Sequence, residues 1–217
     1  MKHIGVPGMG MRLWPAAVMA AALLSSMGAQ AQEVLAVDSY TLSVNGPNNG
    51  YGYNDPGGEL TDGVIPAGVG AGYNNWAPYV LWDGKSPTIT FDLGSDQAVG
   101  QIRAHFLTYP KAAVYLPLSA TVRYALDGGE FGEAVTVPTG YVSGGALAHD
   151  TPVMLSFNTP GVGRLVQLTL QTPGRWFALS EVQLLAPTTP VPEAQSAWLA
   201  LGGLAVCAWA LRRRRQA

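Results

Sequence analysis

Short runs of alternating apolar and polar residues recur through the middle of the chain, and they constrain its fold more than any other feature. "TITFDL" begins at Thr88, and "SATVRYAL" places Ala120 and Val122 on one face. Alternation with a period of two is typical of strands that bury one face. Runs of the same kind are "VGQIRAHFLTY" from Val99, "RLVQLTLQ" from Arg164 and "SEVQLLAP" from Ser180.

Turn signals separate these runs. Asp-Gly pairs begin at Asp62, Asp83 and Asp127, and such pairs favour tight turns because glycine adopts positive φ readily. No amphipathic helical pattern of about a dozen residues interrupts the series. The sequence therefore predicts an all-β fold, an antiparallel β-sandwich of the jelly-roll type.

The sequence also predicts where one strand ends and which side chains lie in the core. We expect Asp92 and Gly94 to end the strand that begins at Thr88, since an aspartate can accept backbone N–H bonds where glycine reverses the chain. Large aromatic side chains dominate the cores of sandwiches. The side chains expected in the core are Ile89, Phe91, Trp82 and Trp176.

The N-terminal segment has the three parts of a secretory signal peptide. Lys2 and Arg12 precede the apolar run "LWPAAVMAAALL", which is followed by the small residues "SSMGAQAQ". This order predicts a signal peptide over residues 1–31, with cleavage after Ala31. Pro15 and the absence of a polar face argue against a buried helix.

The C-terminal segment predicts a membrane anchor. Residues 194–211 are 18 consecutive uncharged residues, and a helix of that length reaches ~27 Å against a hydrocarbon core of ~30 Å. Trp198 and Trp209 lie near its two ends, where interfacial aromatic residues are preferred. By the positive-inside rule, we expect residues 212–217 to stay in the cytoplasm and the chain before residue 194 to lie on the opposite side of the membrane. The arginines that follow the span are Arg212, Arg213, Arg214 and Arg215.

Residues 33–187 remain as one exported domain of about 155 residues. Six basic and thirteen acidic side chains give this domain a net charge of −7, which disfavours a nucleic-acid partner. Cys207, the one cysteine, lies in the apolar tail. The domain therefore has no disulfide, no cysteine zinc site and no cysteine nucleophile.

The end of the chain resembles the PEP-CTERM sorting tail of Gram-negative bacteria. A proline-rich spacer over residues 188–193 carries Val191, Pro192 and Glu193 and is followed by the apolar span and Arg212 to Arg215. The resemblance implies export across the inner membrane, anchoring by the tail, and an exosortase-type sorting enzyme as a partner. The mature protein would then belong to the cell envelope or the extracellular matrix.

The exported part resembles a discoidin-like, or coagulation-factor C-type, domain from Tyr40 to Ala186. This galactose-binding-like jelly roll is shared by many bacterial carbohydrate-binding modules and lectin-like adhesion domains. The segments that carry the resemblance, in family order, are "LTDG", "WDGKSPTITFDLG", "VYLPLSATVRYALDGGEF", "GRLVQLTL" and "RWFALSEVQLL".

This second resemblance implies one structural calcium ion. Its ligands would be the carbonyl of Leu60 and the carboxylates of Asp62 and Glu181. These are the hard oxygen ligands that calcium prefers, although it takes six to eight of them. The alternative is that Asp62 caps a turn and that Glu181 pairs with Arg175 or another base.

Aromatic residues among loop-forming residues indicate where a sugar would bind. Aromatic faces suit the C–H side of a sugar, and nearby amides suit its hydroxyl groups. The stretch "YNNW" offers both. The predicted binding residues are Tyr73, Asn74, Asn75, Trp76 and Tyr109, with the alternative that Trp76 plugs the end of the sandwich.

These features favour a non-catalytic, envelope-anchored module that binds carbohydrate or matrix exopolysaccharide. The alternative is a structural envelope or biofilm-matrix protein that acts through protein–protein contacts. An enzyme is disfavoured because the exported domain contains only His105 and His149 and no G-x-S-x-G, H-E-x-x-H or phosphate-loop motif.

Overall fold

A computed structural model describes residues 32–47, 53–70, 75–141 and 147–188. The predicted signal peptide, transmembrane span and sorting residues lie outside these ranges. Within them, no helix combines the length and the apolar character needed to cross a bilayer.

Nine strands form two antiparallel sheets in the described part of the chain. The five-stranded sheet has the order β1-β3-β8-β5-β6 and the four-stranded sheet the order β2-β9-β4-β7. This arrangement confirms the predicted all-β sandwich. The strands are β1 (Ser39–Leu42), β2 (Val80–Asp83), β3 (Thr88–Val99), β4 (Gln101–Thr108), β5 (Ser119–Ala125), β6 (Val135–Pro138), β7 (Thr151–Phe157), β8 (Gly161–Leu170) and β9 (Trp176–Leu185), with a short 3-10 turn at Pro110–Ala112.

The core lies between the two sheets and is built by the alternation seen in the sequence. Ile89 and Phe91 are fully buried, as predicted. Trp82 is 1% exposed, and its indole N–H donates to the carbonyl of Val44 at 2.8 Å. This hydrogen bond offsets the cost of removing the indole N–H from water, and the burial of the side chain confirms its predicted core position.

The predicted strand end at Asp92 and Gly94 is wrong. The Asp92 carboxylate does accept the N–H of Gly94 at 2.8 Å, but β3 continues to Val99 after a shift in register between Asp92 and Gln97. The turn at Asp92 and Gly94 is therefore part of a β-bulge within β3 and does not end the strand, because the residues from Gln97 onward pair again with β8.

A second apolar cluster covers the outer face of the four-stranded sheet. The connection between β1 and β2 packs side chains on Leu81, Leu107 and Ala178, which point away from the main core. We call this set the outer cluster, and it fixes the connections that surround the candidate site. Its buried members are Val69, Trp76, Tyr79, Leu81, Leu107, Tyr109, Val114 and Ala178.

Candidate functional site

Several connections between strands meet at one end of the sandwich. The N–H of Tyr115, in the β4–β5 connection, donates to the carbonyl of Trp176 at 2.9 Å, and that of Leu118 donates to the carbonyl of Gln171 at 2.9 Å. The first bond joins the β4–β5 connection to the start of β9, and the second joins it to the β8–β9 connection, so these parts of the chain form one surface.

Two pairs of partly buried aromatic side chains lie at this end of the sandwich, and we call them the aromatic end: Tyr115 with Tyr141, and Tyr53 with Trp176. The rings of Tyr115 and Tyr141 stack with centroids 5.8 Å apart and an interplanar angle of 24°. Tyr53 meets Trp176 edge to face at 5.6 Å. Rings held in this way have little rotamer freedom left to lose when a ligand binds.

Two of the predicted sugar-binding residues lie beneath this surface. Trp76 and Tyr109 are each 7% exposed, and their rings meet edge to face at 5.9 Å within the outer cluster. Trp76 also contacts Tyr53 at 5.9 Å. They therefore form the floor of the aromatic end, a placement that corresponds to the alternative of Trp76 as a plug.

The other predicted binding residues belong to the segment "YNN". Asn75 is exposed, and its backbone N–H donates to the carbonyl of Val69 at 3.3 Å. Because Asn75 is exposed, its amide side chain is available to a ligand at the rim of the aromatic end. Tyr73 and Asn74 fall in residues 71–74, outside the described ranges.

The predicted binding residues include none of the aromatic end, although Tyr53 and Tyr115 lie in loops whose aromatic residues indicated sugar binding. Trp176 was expected in the core, yet it is only partly buried at the first position of β9. Tyr141 follows Gly140 in the β6–β7 connection. A glycine directly precedes Tyr53 and Tyr141, but neither Tyr115 nor Trp176 has a neighbouring glycine or proline. The exposed fraction of these rings depends instead on how separate connections pack.

Positive charge borders the aromatic end although the domain as a whole is acidic. Lys111 and Arg175 are exposed, and neither forms an ion pair within the described residues. The backbone N–H of Lys111 donates to Nδ1 of His149 at 3.4 Å, and the His149 ring contacts Tyr109 at 5.7 Å. The Lys111 and Arg175 side chains offer hydrogen-bond donors beside the rings of the aromatic end.

The three predicted calcium ligands lie together at the turn around Asp62. The Val182 N–H donates to the Leu60 carbonyl at 2.8 Å, and the Gly63 N–H donates to Glu181 at 3.1 Å. Asp62 accepts the N–H of Val64 at 2.8 Å, which closes a turn as the alternative proposed. No group of three or more His, Cys, Asp or Glu side chains suited to a metal occurs among the described residues.

Glu181 is a carboxylic acid that is buried in the protein interior. It is 4% exposed, and burial, together with the charge of Asp62, raises its pKa to about 7. Neither carboxylate forms an ion pair with a base in the described ranges, so the alternative pairing of Glu181 with Arg175 is wrong. The two carboxylates and the Leu60 carbonyl are oxygen ligands of the kind that calcium prefers, and water would supply the further oxygens that the ion needs.

No protein-family model and no curated protein matches this chain. Solved structures of similar fold include chitosan-binding module 1 of a chitosanase/glucanase from Paenibacillus sp. IK-5, 18% identical, covering 72% of this chain and 100% of that one, with a TM-score of 0.46. The lectin binding domain of lectinolysin in complex with Lewis b is 15% identical over 72% and 97%, with a TM-score of 0.48. A CBM32 module of Clostridium perfringens in complex with GalNAc-β-1,3-galactose is 13% identical over 68% and 94%, with a TM-score of 0.44. At these identities the similarity concerns the fold alone.

Proposed function

We propose that this protein is an exported, envelope-anchored, non-catalytic module that binds carbohydrate through the aromatic end. The observation that carries the proposal is the two pairs of partly buried rings, which are held by contacts between residues far apart in the sequence. Rings that are fixed in this way and keep part of their surface accessible are suited to stacking on a ligand.

The chemistry of the surface suits a sugar better than an extended apolar ligand. The accessible parts of the rings offer flat apolar faces to the C–H side of a pyranose. Asn75, Lys111 and Arg175 supply donors for its hydroxyl groups at the rim. Trp76 and Tyr109 contribute by holding the rings above them in place.

Export and anchoring rest on the sequence. The signal peptide of residues 1–31, the span of residues 194–211 and the arginines after it give the same orientation independently. We propose that Val191, Pro192 and Glu193 belong to a sorting signal read by an exosortase. Mass spectrometry of the envelope form tests this, since a mature protein that still carries Arg212 to Arg215 would exclude processing.

We also propose that Leu60, Asp62 and Glu181 hold a calcium ion through the Leu60 carbonyl and the two carboxylates. The ion would fix the turn around Asp62 against β9 by compensating the buried charge of Glu181. Its role would be structural, as the turn contributes Leu60 to the main core.

Binding of the full-length protein to a glycan array and to exopolysaccharide from the native cells tests the proposal. Trp176→Ala and Tyr115→Ala are expected to reduce binding at least tenfold, whereas Tyr115→Phe, which keeps the ring, is expected to retain it. Absence of binding by the natural protein would overturn the proposal. Altered cell aggregation in the alanine variants without any sugar binding would favour the structural matrix role instead.

A further inference from the structure

The outer face of the five-stranded sheet presents two rows of polar side chains. In the register, Thr169 of β8 lies between Thr88 of β3 and Thr121 of β5, and Thr121 also faces Thr136 of β6. One step along the sheet, Gln167 lies between Thr90 and Arg123. A shallow, open groove of about 260 Å³ lies over these rows, and its lining residues are Thr121, Arg123, Gln167 and Thr169.

Hydrogen bonds order the side chains of the groove. The hydroxyl groups of Thr88 and Thr169 are 2.8 Å apart, and those of Thr121 and Thr136 are also 2.8 Å apart. Each pair uses one hydroxyl hydrogen internally, which leaves the second hydrogen and several lone pairs for a ligand. The groove is thus a row of prepositioned donors and acceptors, with no apolar side chain among its lining residues.

The two arginines of this sheet differ in their partners. Arg164 is held by Asp92 at 2.8 and 2.9 Å and by Asp127 at 2.9 Å. Arg123 is exposed and has no ion-pair partner within the described residues. A guanidinium group can bind a carboxylate with two parallel hydrogen bonds, so Arg123 is the available carboxylate receptor of this face.

We infer that this groove is a second binding site, for a polysaccharide that carries carboxylate groups. Arg123 takes the carboxylate of one uronate residue, while Thr121, Thr169 and Gln167 bind hydroxyl groups along the chain. A protein partner would need apolar anchors that the groove lacks, and nucleic acid would need more than one cation on an acidic domain. The inference shares with the proposed function only the class of ligand, because the groove does not include the aromatic end.

Affinity electrophoresis of the full-length protein in gels containing polygalacturonate tests the inference. The natural protein is expected to be retarded, and Arg123→Gln is expected to weaken binding about tenfold. The matched control is Arg103→Gln, which removes the same charge from the other sheet, where Arg103 contacts Gln101. Thr121→Val with Thr169→Val keeps the shape and strand preference of these positions and is expected to weaken binding without changing the circular dichroism spectrum.

Four results would overturn the inference. They are no retardation of the natural protein, unchanged binding by Arg123→Gln, an equal loss in Arg103→Gln, and equal retardation in a gel that contains a neutral comparison polymer, polygalacturonate with its carboxyl groups reduced to alcohols. Trp176→Ala separates the two sites. If that variant loses polygalacturonate binding and Arg123→Gln does not, the aromatic end is the only site. If Arg123→Gln loses polygalacturonate binding while no neutral glycan binds, the groove stands and the proposed role of the aromatic end fails.

Discussion

Gly163 of β8 passes so close to Ala125 of β5 that a Cβ atom added to the glycine would lie 2.6 Å from the Ala125 carbonyl oxygen. That oxygen belongs to backbone within a paired sheet, so it cannot move aside as a flexible side chain would. Glycine at this position is therefore required by the packing of two strands.

Gly163→Ala is expected to lower the free energy of unfolding by about 1–3 kcal/mol, the usual cost of overpacking. Gly132→Ala is the matched control, because the nearest atom to its added Cβ would be 3.6 Å away. That control is expected to stay within about 0.5 kcal/mol of the natural protein. Urea denaturation measures both, and equal stabilities of the two variants would contradict the described packing.

The stack of Tyr115 on Tyr141 is expected to couple the β4–β5 and β6–β7 connections energetically. In a double-mutant cycle with Tyr115→Ala and Tyr141→Ala, the coupling should be about 0.5–1.5 kcal/mol, as for other aromatic pairs. Stability of the two single variants and the double variant gives this value. Strictly additive losses would show that the two rings do not interact in solution.

Glu181 is expected to make the calcium-free protein less stable as the pH rises. Its pKa is raised from 4.5 to about 7, so the folded state binds the proton more tightly than the unfolded state. The stabilisation is complete below about pH 4.5 and is lost as the pH rises to about 7, a decrease of at most about 3 kcal/mol.

Glu181→Gln isolates this contribution because glutamine resembles the protonated acid. In chelator, the variant should be more stable than the natural protein at pH 8 and similar to it near pH 4.5. Thermal melts across this range measure the difference. A difference independent of pH would contradict the raised pKa.

Calcium is expected to stabilise the natural protein at pH 8. A ligand at a hundred times its dissociation constant adds about 2.7 kcal/mol to the free energy of unfolding. Asp62→Asn and Glu181→Gln should lose the rise in melting temperature, whereas Glu130→Gln should keep it, since Glu130 is an exposed acid in the connection between two strands of the other sheet. An unchanged melting temperature of the natural protein on adding chelator would exclude the site.

The sequence predicted those parts of the fold in which local alternation decides the structure. The runs at Thr88, Ser119, Arg164 and Ser180 all lie within or largely within strands, because one face of each is buried. The four-residue strands β1, β2 and β6 and the longer β7 were not predicted. The β7 run "TPVMLSF", for instance, has an exposed proline at its second position, which weakens the strand signal.

The candidate site was less predictable, because exposure of an aromatic ring depends on contacts between distant connections. Trp76 and Tyr109 looked like loop residues in the sequence, but the outer cluster buries them. Trp176 looked like a core residue, yet its place at the start of β9 leaves it only partly buried, against the outer cluster. No local pattern distinguishes these outcomes, since each is set by which other connection passes over the ring.

The connection between β1 and β2 gives Leu60 to one apolar cluster and Val69 to the other, and both side chains are fully buried. An irregular segment that contributes interior residues to two clusters behaves in protein engineering as part of the scaffold. Library designs that randomise this segment to alter sugar preference would therefore do best to keep both positions fixed and to vary only the exposed residues between them.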